Sequence, residues 1–221
     1  MSNWSNRFVN LETAAAWAVL AGVSACQGGS PPAGDRDAPH EISAAARASV
    51  PPAEEPVPER AAQQYRQALD LMRSGRDADA ELELKQLSVA YPQFAGPQLN
   101  LGLLYLKDSK LTEAESALKA AVQINPANAP AGNELGIVER RLGKFADAEA
   151  AYQRTITAEP NYAPAHLNLG VLYDLYLAEP QKALDEFERY IEIAGQSKQV
   201  DGWVVELRKR VAAPAAKKEP V

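Results

Sequence analysis

The feature that most constrains this chain is a period. Between residues 95 and 160 the sequence repeats itself with an offset of 34: Leu101 and Gly102 return as Leu135 and Gly136, Ala114 as Ala148, and Pro126 as Pro160. The series runs past both ends. Ala68, Ala80 and Pro92 hold the corresponding slots upstream, and Leu169 and Gly170 follow downstream. Self-similarity at a period of about 20–50 residues marks an array of small units, none of which can bury its apolar face alone.

Each unit holds two apolar runs at helical spacing, such as Leu99, Leu103 and Leu106, then Leu111, Ala114, Leu118 and Ala121. The slots of Ala68, Gly102, Gly136 and Gly170 are small, as are those of Ala80, Ala114 and Ala148. Small side chains there let paired helices approach at the short end of the usual ~8–10 Å separation. Bulkier neighbours (Leu101, Tyr105, Leu118, Leu135, Tyr152, Leu169, Tyr173, Phe187) fill the remaining space. Pro92, Pro126 and Pro160 close the second helix of each unit, because proline cannot donate to the preceding turn. Pro97, Pro130 and Pro164 sit where a first helical turn tolerates proline.

Leu-Gly, then an aromatic, then Ala, then a spaced Pro, all at 34, resembles the tetratricopeptide repeat family over residues 61–195. The fold expected is all-α: a solenoid of about four helix-turn-helix repeats plus a C-terminal capping helix. The units fall at about 61–94, 95–128, 129–162 and 163–196. The cap is read directly from Val200, Trp203, Val204, Leu207 and Val211, which recur at helical spacing over residues 197–211. Residues 212–221 read as a disordered tail. The fourth unit breaks step: its small residue is Ala183, one position late, so one residue is inserted after Tyr173, with the turn at 177–180 the simplest place. Gly195 stands in for a closing proline as a helix C-cap. In the first unit Gln64 and Gln67 replace expected apolar residues. Atypical outer units suit a stack whose end faces meet water.

The N-terminus reads differently. The apolar run at residues 14–25 is too short to cross a ~30 Å hydrocarbon layer as a helix, but it fits a secretory leader over residues 1–25. Val23-Ser24-Ala25-Cys26 resembles the lipobox of bacterial lipoproteins, which implies cleavage before Cys26 and lipidation of its thiol. Gln27 at the next position implies, by the same resemblance, delivery to the outer membrane, facing the periplasm. The alternative is an apolar N-terminal helix with a buried structural cysteine. Residues 26–60, with prolines at 31, 32, 39, 51, 52, 56 and 58, read as a disordered tether. Such a chain averages about 30 Å end to end.

Function is expected in recognition. The net charge of −6 and the absence of a basic stripe argue against nucleic acid. Two histidines and one cysteine make no ordinary zinc site. No phosphate loop or nucleophile elbow is present, so no catalytic residue, metal, cofactor or small-molecule substrate is assigned. The family resemblance implies that first helices line a concave groove for an extended peptide or helix of a protein partner. Its lining is then Asn100, Leu103, Lys107, Glu134, Ile137, Arg140, Arg141, Asn168, Val171 and Asp174. Asn100 and Asn168 share the slot before Leu-Gly, where an amide can serve a peptide unit as both donor and acceptor, or bond between units instead. Glu134 and Arg66 interrupt any ladder at that slot. Arg140-Arg141 offers either a bidentate carboxylate clamp or a solvated face. The expected protein is a scaffold anchored to the bacterial outer membrane by lipid alone. It would serve an envelope complex of the TonB-type, pilus or secretion kind. A periplasmic assembly factor or a cytoplasmic adaptor are the alternatives.

Overall fold

The computed structural model describes residues 58–213. The expected leader, Cys26, the tether to residue 57 and the tail from residue 214 lie outside the described residues. Within them run nine helices and no strand. They are α1 (Glu59–Arg73), α2 (Asp77–Ala90), α3 (Ala95–Lys107), α4 (Leu111–Ile124), α5 (Ala129–Arg141), α6 (Phe145–Ala158), α7 (Ala163–Leu172), α8 (Pro180–Ala194) and α9 (Lys198–Ala212). Each even-numbered helix packs on the helix before it, and each pair packs on the next.

The prolines stand where their chemistry places them. Pro92, Pro126 and Pro160 follow the C-termini of α2, α4 and α6 by two residues, while Pro130 and Pro164 occupy the first turns of α5 and α7. The small residues mark the crossings within each pair. A Cβ added at Gly102 would lie 2.5 Å from Leu118 Cγ, and one at Gly170 would lie 2.6 Å from Phe187 Cε1. At Gly136 it would enter the ring of Tyr152. Tyr152, Leu118 and Phe187 are all completely or almost completely buried. The three glycines therefore hold equivalent positions, each roofed by the bulky residue of the following helix.

Contacts between units fix the sense of curvature. α3 touches α5 and α5 touches α7, while the second helices make no comparable contact with one another. A stack whose first helices crowd together is tighter on their side, so α3, α5 and α7 line the inner face.

The extra residue of the fourth unit is not in the turn, as the spacing had suggested. It lies inside the helix, where Tyr173–Leu177 winds as a single π-helical turn. The four within-unit turns show why. Each is closed by one residue of positive φ: Gly75 (75°), Ser109 (58°), Gly143 (76°) and Ala178 (55°). The next N–H then reaches back to the end of the helix: Arg76 to Leu71 O, Lys110 to Tyr105 O and Lys144 to Glu139 O, five residues in each case. Glu179 N reaches Tyr173 O, six residues back, at 2.9 Å. The left-handed closure that satisfies the last carbonyls is kept, and the added residue is absorbed by widening one helical turn.

α9 covers the last pair. Val200, Trp203, Val204 and Leu207 are buried, and the Trp203 ring packs 5.3 Å from that of Phe187. Arg208 adds an exposed ion pair to Glu188 of α8 at 2.7 Å.

Ala178 holds a left-handed backbone that costs a residue with a Cβ about 1–2 kcal/mol. Ala178→Gly should therefore raise stability by about 0.5–1 kcal/mol. Thermal unfolding followed by circular dichroism would show a Tm higher by a few degrees, and an unchanged or lower Tm would contradict the assignment.

Candidate functional site

The inner face of α3, α5 and α7 separates the sequence-selected residues into two sets. Leu103, Glu134, Ile137 and Asn168 are half-buried, and Lys107 and Arg141 are exposed. Asn100, Arg140, Val171 and Asp174 are buried. With half-buried Leu99, the accessible members form an aliphatic strip over α3 and α5, bordered by charge. Toward α7 the face closes, and Val171 is only 6% exposed.

Polar members of both sets, buried Asn100 and half-buried Asn168 among them, serve the junctions between units. Asn100 Nδ2 donates to the Tyr65 hydroxyl at 2.6 Å and to Gly96 O at 2.9 Å. Burial pushes the Tyr65 phenol up to about 12, against the opposing effect of the Asn100 bond. Asn168 Nδ2 donates to Asn133 Oδ1 at 2.9 Å, and Asn133 Nδ2 donates in turn to Glu134 Oε1 at 3.3 Å. The amide donors at the Leu-Gly slot are thus directed at the preceding unit. Asn133, which slot-counting passed over, links Asn168 to Glu134.

Arg140 and Arg141 do not act as a pair. Consecutive helical residues point about 100° apart, so Arg141 faces solvent while Arg140 turns into the junction with the fourth unit. Arg140 Nη1 donates to the Tyr176 hydroxyl at 3.2 Å, and its guanidinium lies 5.5 Å from the centre of that ring. Tyr176 belongs to the π-helical turn and packs 5.0 Å from Phe145. One residue pair further on, Asp174 accepts from Arg210 Nη1 of α9 at 2.5 Å. Lys107 reaches back to Asp77 of the first unit. A cavity of about 420 Å³ opens beside α9, lined by residues including Lys182, Arg210 and Val211, and lies apart from the strip.

His166 has two polar partners. Its Nδ1 lies 2.7 Å from Glu186 Oε2 and its Nε2 lies 3.0 Å from Pro160 O. The ring is 5% exposed and ties the turn before α7 to α8. Among the described residues, no group of three or more His, Cys, Asp or Glu side chains is placed to hold a metal ion, and no helix is long and apolar enough to cross a membrane.

A charged cluster joins the second and third units. Glu115 Oε2 meets Lys144 Nζ at 2.7 Å and Glu115 Oε1 meets Lys119 Nζ at 2.6 Å. Bonding to Lys119, then to Lys144, holds the Glu115 carboxyl below its ordinary range. Glu139 is the reverse case. It is 2% exposed, Oε2 lacks a hydrogen-bond partner, and Lys119 stands 3.6 Å from Oε1. Burial pushes its carboxyl up, outweighing the pull of Lys119.

Comparison with known proteins follows the same outline. The tetratricopeptide repeat profile matches residues 65–129 and 133–198. No curated protein sequence matches the chain. Among solved structures, MamA is similar at 24% identity over 65% of this chain and 84% of that one, with a TM-score of 0.60. Pseudomonas aeruginosa pilF is similar at 17% identity over 69% of each chain, with a TM-score of 0.62. The first TPR of Spaghetti (RPAP3), solved with the HSP90 peptide SRMEEVD, is similar at 21% identity over 55% of this chain and 95% of that one, with a TM-score of 0.52. Likeness at these identities speaks for fold.

Glu139 makes stability depend on pH in a defined direction. Its folded-state affinity for a proton is raised, so its stabilising contribution is fully present below the ordinary glutamate range. That contribution is lost as pH rises through the higher folded value. Glu139→Gln keeps the neutral form at all pH. It should raise stability at pH 8 and change it little at pH 4, read from urea unfolding at both values.

Proposed function

The chain belongs to the tetratricopeptide repeat family, a family of interaction scaffolds, and from that footing we propose that it is a lipid-anchored adaptor of the bacterial cell envelope. It holds one segment of another protein along the inner face of α3 and α5. The observation that carries this reading is the half-buried aliphatic row of Leu99, Leu103 and Ile137, with Glu134, Lys107 and Arg141 beside it. A row of this kind offers apolar area to a helix or extended segment, while the bordering charges set its direction. The junction contacts of Asn100, Arg140, Asn168 and Asp174 hold that row in a fixed shape, which lowers the ordering cost of binding.

The anchor rests on residues 1–27, where a short apolar run ends in Val23-Ser24-Ala25-Cys26 and is followed by Gln27. A lipid on Cys26 and a tether leading to α1 would keep the groove near the bilayer and raise its effective concentration toward membrane-bound partners. In this role the protein would serve an outer-membrane assembly of the TonB-type, pilus or secretion kind. The same aliphatic row favours a second reading as a periplasmic assembly factor, which grips apolar client segments transiently.

Two measurements test the proposal separately. Mass spectrometry of the mature protein from envelope fractions should find residues 1–25 removed and Cys26 lipidated at the new N-terminus. A chain starting at Met1 with a free thiol would overturn the anchor. Leu103→Asp with Ile137→Asp places two charges on the apolar row without touching a glycine crossing. The pair should weaken capture of a cross-linked envelope partner at least tenfold while circular dichroism stays unchanged. Undiminished capture would remove the groove from the function.

A further inference from the structure

The outer side of α2 differs from that of every other second helix. Leu82 is 57% exposed and Val89 is 83% exposed, the two most open large apolar side chains among the described residues. They lie seven residues apart, two helical turns, on one stripe with exposed Ala78. The buried residues of α2, Ala80, Leu84 and Leu87, are turned toward the core on the opposite side.

The array supplies its own control. The slots of Leu82 and Val89 are held by Ser116 and Gln123 in α4, by Ala150 and Thr157 in α6, and by Asp185 and Glu192 in α8. Three units of the same fold carry small or polar residues there, so stacking does not require an aliphatic pair. α2 also carries four carboxylates, Asp77, Asp79, Glu81 and Glu83, against one lysine. Lys85 is tied to Glu81 at 2.6 Å, Arg76 to Asp79 at 2.7 Å and Lys107 of α3 to Asp77, while Glu83, half-buried beside Leu82, has no ion pair among the described residues.

We propose that the outer face of α2 is a second docking surface, separate from the inner groove, and that it takes a basic amphipathic helix from another protein. The Ala78–Leu82–Val89 stripe spans about 16 Å, matching roughly three turns of a partner helix. The carboxylate of Glu83, left without a cation next to Leu82, favours lysine or arginine beside the partner's apolar residues. A second copy of this chain would set one Glu83 against another, and an anionic bilayer would repel the same carboxylate. The bound helix leaves the inner strip open, so one molecule can bridge two proteins.

The probe is a fluorescein-labelled helical peptide with leucine and lysine at amphipathic spacing, titrated against the full-length protein and read by anisotropy. Its counterpart has glutamate at every lysine. The variant is Leu82→Ser with Val89→Gln, the residues α4 carries at the same slots, which changes no charge. The lysine peptide should bind and the glutamate peptide should not. The variant should bind the lysine peptide at least tenfold more weakly with an unchanged Tm, and Ile137→Asp should leave that binding intact. Equal binding by variant and wild type, equal binding of both peptides, or no binding at all would overturn the proposal. Self-association of the wild type, abolished in the variant during sedimentation, would also overturn it and assign the face to pairing of copies.

Discussion

The structure depends on helix crossings that leave no room for a side chain. At Gly102, Gly136 and Gly170 the neighbouring Leu118, Tyr152 and Phe187 occupy the volume in which a Cβ would stand. Dense packing at such a point gains dispersion contacts on all sides of the large residue. It also fixes how far apart the two axes lie, and through them the pitch of the whole stack. The large residue changes from leucine to tyrosine to phenylalanine along the array, while its slot stays the same. Conserving the crossing, with different partners across it, lets the units repeat without being identical.

A second layer of interactions joins one pair to the next, and it is largely polar. Asn100 with Tyr65, Asn168 with Asn133, Tyr176 with Arg140 and Arg210 with Asp174 are each separated by 35 or 36 residues, one unit along. Partly buried donors and acceptors of this kind favour one register, since a slipped interface would leave them without partners. The apolar crossings supply contact within a unit, and the polar links index each unit against the next. Among the described residues, Glu139 and Asp77 each keep one buried carboxylate oxygen without a hydrogen bond, and there this second layer is incomplete.

Much of the fold could be read from the sequence because its causes are local or strictly periodic. Gly136 and Tyr152 lie 16 residues apart in one unit, and their sizes announce a crossing wherever they recur. The site was less legible. A slot-count places Arg140 and Asp174 along the inner face, but whether they are open depends on Tyr176 and Arg210, side chains of the following unit. Asn133 and Glu186 were missed for the same reason: each meets its partner through a neighbouring helix, and no spacing within one helix signals it. The misplaced insertion has another cause. An offset of 35 bounds an extra residue between two landmarks, but the choice between turn and helix lies in hydrogen bonds, and Glu179 bonding to Tyr173 is invisible in composition.

The array ends on an unmatched helix. α1 through α8 form four pairs, and α9 occupies the place where a fifth pair would begin, with no second helix among the described residues to complete it. Its buried side is spent on α8, while Arg208 and Lys209 stand in solvent. A neighbouring molecule approaching end to end would meet a first-type helix where its own first-type helix needs a second-type one. Head-to-tail association of that kind, once started, has no natural stopping point and gives fibres. Among the described residues, α9 thus covers the apolar side of the fourth pair and turns a charged side outward.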